Sequence, residues 1–108
     1  MEKEINEKIQ EMQLLEQSIQ NLLLQKQTFN LEVSETQNAL NELENSNEDV
    51  FKIIGQIMIK TEKKKLEEEL RDKDRILSLR LKSLEKQEKN LLDKAEKLRE
   101  EIMSSIKE

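Results

Sequence analysis

Lys60, Lys63, Lys64 and Lys65 stand directly before Glu67, Glu68 and Glu69, and of all the stretches in this sequence these residue types come nearest to chemistry. A basic cluster can hold phosphate; adjacent carboxylates can hold a hard cation or pass a proton. The spacing rejects each in turn. Opposite charges follow one another at once, whereas nucleic acid calls for a concentrated basic face. A calcium loop alternates its carboxylates around a glycine turn, and no such turn is present. Acids that split their pKa values for general acid and base work need a sheltered pocket, which a pair of helices does not provide. The absence of His and Cys removes the imidazole base, the thiol nucleophile, the disulfide and the usual zinc site. The cluster reads as a solvated helix start, and the sequence implies no enzyme, no cofactor and no metal.

Recognition is the chemistry that remains, and two groups of apolar residues are placed for it. The first is the island Val50-Phe51-Lys52-Ile53-Ile54-Gly55-Gln56-Ile57-Met58-Ile59-Lys60-Thr61, which holds the single glycine of the chain. A Gly followed by a polar residue between β-branched runs is the pattern of a type II′ hairpin turn. With Gly55 and Gln56 at its end, Ile54 pairs with Ile57, Ile53 with Met58, Lys52 with Ile59, Phe51 with Lys60 and Val50 with Thr61. Alternation then leaves both faces apolar near the turn. A lone hairpin of this kind has two open edges and two faces unsuited to water. Two readings follow: copies join side by side into a barrel or sandwich shared between chains, or the hairpin folds back on its own helices, which covers one face only.

The second group is Ile5, Ile9 and Met12 near the start and Ile102, Met103 and Ile106 near the end. These are either the last turns of a helical seam or an adaptable surface for non-native polypeptide, a task to which flexible, polarizable Met is suited.

The elements that position both groups are helices. The composition, 40% charged, 34% hydrophobic and 2% aromatic, is too polar for a globular core of ordinary size. Pro is absent, so nothing outside the hairpin breaks a helix. In the first segment Leu15, Ile19, Leu22, Lys26, Phe29, Val33, Thr36, Leu40 and Leu43 alternate steps of four and three. Upstream, Ile5, Ile9 and Met12 meet this register through a stammer. Asn45-Ser46-Asn47-Glu48-Asp49 ends the helix, and Thr61 is the expected N-cap of the next. There the seam runs Leu66, Leu70, Lys73 and Leu77, then through a stutter to Leu81, Leu84, Glu88, Leu91, Ala95, Leu98 and Ile102. The fold class expected is mainly α: a long antiparallel two-helix coiled coil, each helix on the order of 65 Å, joined by one oligomerising β-hairpin. The divisions are residues 1–45, 46–61 and 62–108. Lys26 and Glu88 interrupt the seams at neighbouring levels, and either pair to set the register or extend their stems outward.

Gln25-Lys26-Gln27, the hairpin block and Leu84-Glu85-Lys86-Gln87-Glu88 resemble the β-type subunit of prefoldin over nearly the whole chain. The hairpin is the specific part of the likeness. Phe51 follows Val50 where the family carries an aromatic, and Lys86 replaces the family's Arg in Leu-Glu-Arg-Gln-Glu. The resemblance implies a hexamer of two α-type and four β-type subunits whose hairpins, here Val50, Phe51, Ile53, Ile54, Gly55, Ile57, Met58 and Ile59, build a β-barrel platform. It further implies an ATP-independent chaperone that captures unfolded proteins at its coiled-coil ends and hands them to a group II chaperonin. By spacing, the client role falls on Ile5, Ile9, Met12, Ile102, Met103 and Ile106.

The net charge of −5 with interleaved signs argues against nucleic acid. No run approaches the ~20 apolar residues of a membrane span and no signal-peptide core is present, so a soluble, cytoplasmic protein is expected. The competing class is a coiled-coil spacer or tether without clients, which has no need of a hairpin apolar on both faces.

Overall fold

Without a helix breaker outside the middle of the chain, each flanking segment stays helical throughout. The computed structural model, which describes residues 2–107, has the order α1 (Glu2–Asn45), β1 (Val50–Ile54), β2 (Ile57–Thr61) and α2 (Lys63–Lys107). Glu2 and Glu4 in the first turn of α1 and Lys107 in the last turn of α2 suit the helix dipoles. The strands form one antiparallel ladder pairing Val50 with Thr61, Phe51 with Lys60, Lys52 with Ile59, Ile53 with Met58 and Ile54 with Ile57. This is the register expected from a turn at Gly55-Gln56.

The junction is held by a lysine. The end of α1 leaves carbonyls without helical partners, and Lys63 Nζ donates to Ser46 O at 3.0 Å and to Glu44 O at 3.5 Å. A positive charge at a helix C-terminus is also favoured by the dipole. Lys63 thus ties the start of α2 to the end of α1. The N-cap of α2 differs from expectation. Thr61 completes β2, and the first helical hydrogen bond runs from Leu66 N to Glu62 O at 3.0 Å, so Glu62 occupies the capping position. Thr61 is held in the ladder opposite Val50 and cannot turn its backbone toward the helix.

The chain divides into a hairpin unit, Phe29–Leu81, and a terminal unit made of the residues up to Thr28 and those from Lys82 on. In the hairpin unit Gln37 meets Asp74 at 3.5 Å and Glu44 meets Arg71 at 3.2 Å. In the terminal unit Lys8 meets Glu101 at 3.9 Å and Lys26 meets Glu88 at 3.3 Å. In each, ascending numbers in α1 meet descending numbers in α2, so the helices are antiparallel. Leu43 and Leu77 are buried in the hairpin unit, and Leu22, Leu84, Ala95 and Leu98 in the terminal unit. Each leucine so buried contributes about 2 kcal/mol of hydrophobic stabilisation. Thr36 is buried too, and its hydroxyl is satisfied by donating to Glu32 O at 2.7 Å.

The seams run differently from what the apolar residues alone suggested. In α1 the half-buried residue before Met12 is Lys8, while Ile9 lies exposed; Ile5, Lys8, Met12, Leu15 and Ile19 then continue the three-four alternation with no stammer. In α2 Asp74 is half-buried and Lys73 exposed, so Leu70, Asp74, Leu77 and Leu81 alternate steps of four and three, and the two successive steps of four fall earlier, over Leu66, Leu70 and Asp74. The reason is the same in both helices. A long or short polar side chain can occupy a seam if its head finds a partner, and Lys8 has Glu101 while Asp74 has Gln37.

Candidate binding site

The hairpin presents the first surface. Gly55 has φ of +61°, and no non-glycine residue among those described has a positive φ, which gives Gly55-Gln56 the sign pattern of a type II′ turn. A Cβ at Gly55 meets no atom within 4 Å, so the backbone angle alone, and not crowding, makes glycine necessary there. Ile53 is 69% exposed, Met58 64% and Ile57 63%, and Phe51, Ile54 and Ile59 are also exposed. These residues come from both faces of the ribbon. Only Val50, Lys52 and Thr61, at the end away from the turn, are half-buried. The helices therefore cover the foot of the hairpin and leave its remainder bare. With two strands in the sheet, each strand also keeps one unpaired backbone edge.

Two ion pairs steady this ribbon. Lys52 Nζ reaches Glu69 Oε2 on α2 at 2.7 Å, and Lys60 Nζ reaches Asp49 Oδ2 at 3.3 Å. The hydrogen bond from Lys52 holds the Glu69 carboxyl below the ordinary value of 4.5; desolvation opposes it, and the charges of Lys52 and then Lys65 add to the lowering. A groove lined by Ala39, Leu43, Val50, Phe51, Leu66 and Leu70 lies where the strands meet the helices.

The terminal unit presents the second surface. Lys8 beside Glu101 brings the second turn of α1 against the second-last turn of α2, and the six apolar residues expected there fall into two sets. Ile5, Met12 and Ile102 are half-buried seam residues. Ile9, Met103 and Ile106 are exposed, Ile106 to 63%. Leu23 and Leu92, also exposed, carry the same kind of surface and escaped the sequence reading because each directly follows a seam leucine, Leu22 or Leu91, and looks like part of it. The signal that finds them is the position after the second core residue of each heptad, which flanks the seam.

Between the core leucines Lys26 Nζ and Glu88 Oε1 pair at 3.3 Å with both side chains about three-quarters covered or more. The pairing alternative is thus the one adopted. Glu88 Oε2 is buried and has no hydrogen-bond partner among the described residues. No helix of the described residues is long and apolar enough to cross a membrane.

Comparison with known proteins gives one answer. Residues 6–108 match the family described as prefoldin subunit. Among curated relatives, the prefoldin subunit beta of Thermococcus onnurineus is 37% identical over 94 residues, covering 85% of this chain and 81% of that protein. The prefoldin subunit beta of Methanosarcina acetivorans is 33% identical over 105 residues, covering 95% and 90% respectively. Among solved structures, the crystal structure of the prefoldin beta subunit from Thermococcus strain KS-1 superposes with a TM-score of 0.89 at 34% identity, covering 94% of this chain and 91% of that one.

Proposed function

This chain belongs to the prefoldin subunit family, in its β class, and on that footing we propose that it is a subunit of an ATP-independent chaperone whose helical ends capture non-native polypeptide. The observation that carries the reading is the coexistence of two bare apolar surfaces of different kinds in one chain: a hairpin exposed on both faces and a helical pair exposed near its ends.

The hairpin surface is the assembly surface. Strands with open edges and apolar faces are satisfied together when neighbouring hairpins close a barrel, and the partners of matching chemistry are further prefoldin subunits, in the arrangement of two α-type and four β-type chains. The terminal surface is the client surface: of the six residues expected there, Ile9, Met103 and Ile106 are its exposed members, and Ile5, Met12 and Ile102 are the half-buried seam residues beside them. Aliphatic and Met side chains on helices whose backbone bonds are already made hold apolar segments weakly and without shape selection. Release to a group II chaperonin then needs no nucleotide. The function belongs to the cytoplasm, where newly made chains await folding. A spacer or tether has no use for either surface.

Removing residues 1–12 and 102–108 separates the two roles. The trimmed chain, mixed with an α-type partner, is expected to give the same particle mass by light scattering as the full chain and to lose suppression of aggregation of a chemically denatured client. Undiminished suppression at equal particle concentration would move the client surface elsewhere.

A further inference from the structure

The two flanks of the seam in the terminal unit differ. On one flank of its seam, the position following the second core residue of each heptad carries Ile9 and Leu23 in α1 and Leu92 and Ile106 in α2, all exposed. The opposite flank carries Glu11, Ser18 and Gln25 from α1 and Gln87, Lys94 and Glu101 from α2, all polar and all exposed. In an antiparallel pair, like flanks face each other across the seam. The ion pair of Lys26 with Glu88 sets the level: three residues back in α1 and four on in α2 lie Leu23 and Leu92, and fourteen further each way lie Ile9 and Ile106. The flank therefore bears two apolar patches about 21 Å apart at 1.5 Å per residue. Glu16 and Arg99 occupy the same flank between them, and Met103 sits one turn from Ile106 on this side.

Resting on the client-capture reading above, we propose that capture is confined to this flank, and that its occupant is an extended segment of non-native chain with two apolar clusters about six residues apart. The spacing follows from the rise of an extended chain, about 3.3 Å per residue. The exposed apolar area of four half-exposed aliphatic side chains is a few hundred Å². That is well below the roughly 800 Å² per partner of a stable folded interface. A second copy of the chain or a folded partner is thus too demanding an occupant, whereas a short extended segment covers the strip and leaves readily. The polar stretch between its two clusters lies over Glu16 and Arg99, where an unbroken apolar run would desolvate both charges. The site also reaches about four helical turns farther along each helix than Ile9 and Ile106 do.

The sequence lacks cysteine, so introduced thiols are unique attachment points. The test uses the full chain assembled with its partner subunits and a fluorescent decapeptide carrying Leu-Leu pairs six residues apart in a Ser/Asn background. A photo-crosslinker placed through Leu23→Cys or Leu92→Cys is expected to capture the peptide, and one placed through Gln25→Cys or Lys94→Cys is not. Leu23→Gln with Leu92→Gln should weaken the peptide about tenfold, while Leu14→Gln with Leu24→Gln, more exposed still at 65% and 63% but off the flank, should leave it unchanged. A peptide with its pairs three residues apart should bind no better than one with a single pair. Equal crosslinking from both flanks, or equal losses in the two double variants, overturns the confinement and leaves capture standing. A wild-type assembly that binds neither this peptide nor a denatured client overturns both.

Discussion

The hairpin unit and the terminal unit both expose aliphatic side chains, yet the exposures differ in what lies beneath them. Ile53, Ile54, Ile57 and Met58 stand on strands that still lack hydrogen-bond partners along one edge. Ile9, Leu23, Leu92 and Ile106 stand on helices whose backbone groups are already bonded within the helix. Covering the first surface satisfies faces and edges at once, so an occupant that is itself a strand stays. Covering the second removes only a few apolar side chains from water, so an occupant leaves again. On the function proposed above, the same residue types serve permanent assembly in one region and reversible capture in the other, and backbone satisfaction makes the difference.

The sharpest way to break this contrast is to charge the hairpin. Ile54→Asp with Ile57→Asp places two carboxylates in the surface to be buried, and the particle is expected to fall to single chains at micromolar concentration by light scattering. Helical content by circular dichroism should remain nearly unchanged. An intact particle would mean that the hairpin is not what joins the subunits, and the contrast would vanish.

A smaller effect is expected inside the terminal unit. Lys26→Met leaves Glu88, one of whose oxygens already has no partner, largely covered beside an uncharged neighbour, at a cost of about 1–2 kcal/mol in denaturant unfolding. Lys26→Met combined with Glu88→Leu should recover that loss and exceed the parent, because well-packed apolar pairs match or surpass covered ion pairs. If the double variant instead changes which residues lie opposite one another, read from crosslinks between introduced cysteines, the pair is a register device as well as a contact.

The smallest expected effect concerns the foot of the hairpin. Glu69 has its carboxyl lowered by Lys52, so the folded chain favours the ionised form more than the unfolded chain does. The resulting stabilisation is present above pH 4.5 and is lost as pH falls through the lowered folded value. Glu69→Gln should flatten that part of the pH profile of the thermal midpoint. Both side chains keep 42% of their surface in water, so the difference between parent and variant should be slight.

Much of this was legible in the chain. The hairpin register followed from one glycine: a turn with positive φ at its first central position admits few residues, and Gly55 was the only candidate. The common level of Lys26 and Glu88 followed from two charged residues interrupting otherwise apolar seams, while the choice between pairing and outward extension was left to the structure, which pairs them. The errors came where a polar residue took a core position beside an apolar one that did not. Ile9 was read into the seam in place of Lys8, and Lys73 in place of Asp74, because apolarity and spacing were weighed without the partners Glu101 and Gln37. For the candidate surface, Met103 and Ile106 lay off the seam read from the sequence and are exposed, but Leu23 and Leu92 were hidden in runs of leucine.

By itself the sequence determined the two helices, the reversal between them and the pairing of the strands, since each depends on local backbone preference and on periods that residue types display directly. Only the tertiary structure decided which side chains remain in water. Leu22 and Leu23 are neighbours of one type, and the first is 6% exposed while the second is 43% exposed. Their difference comes from the direction in which the facing helix approaches, a property of two segments far apart in the chain and of neither alone.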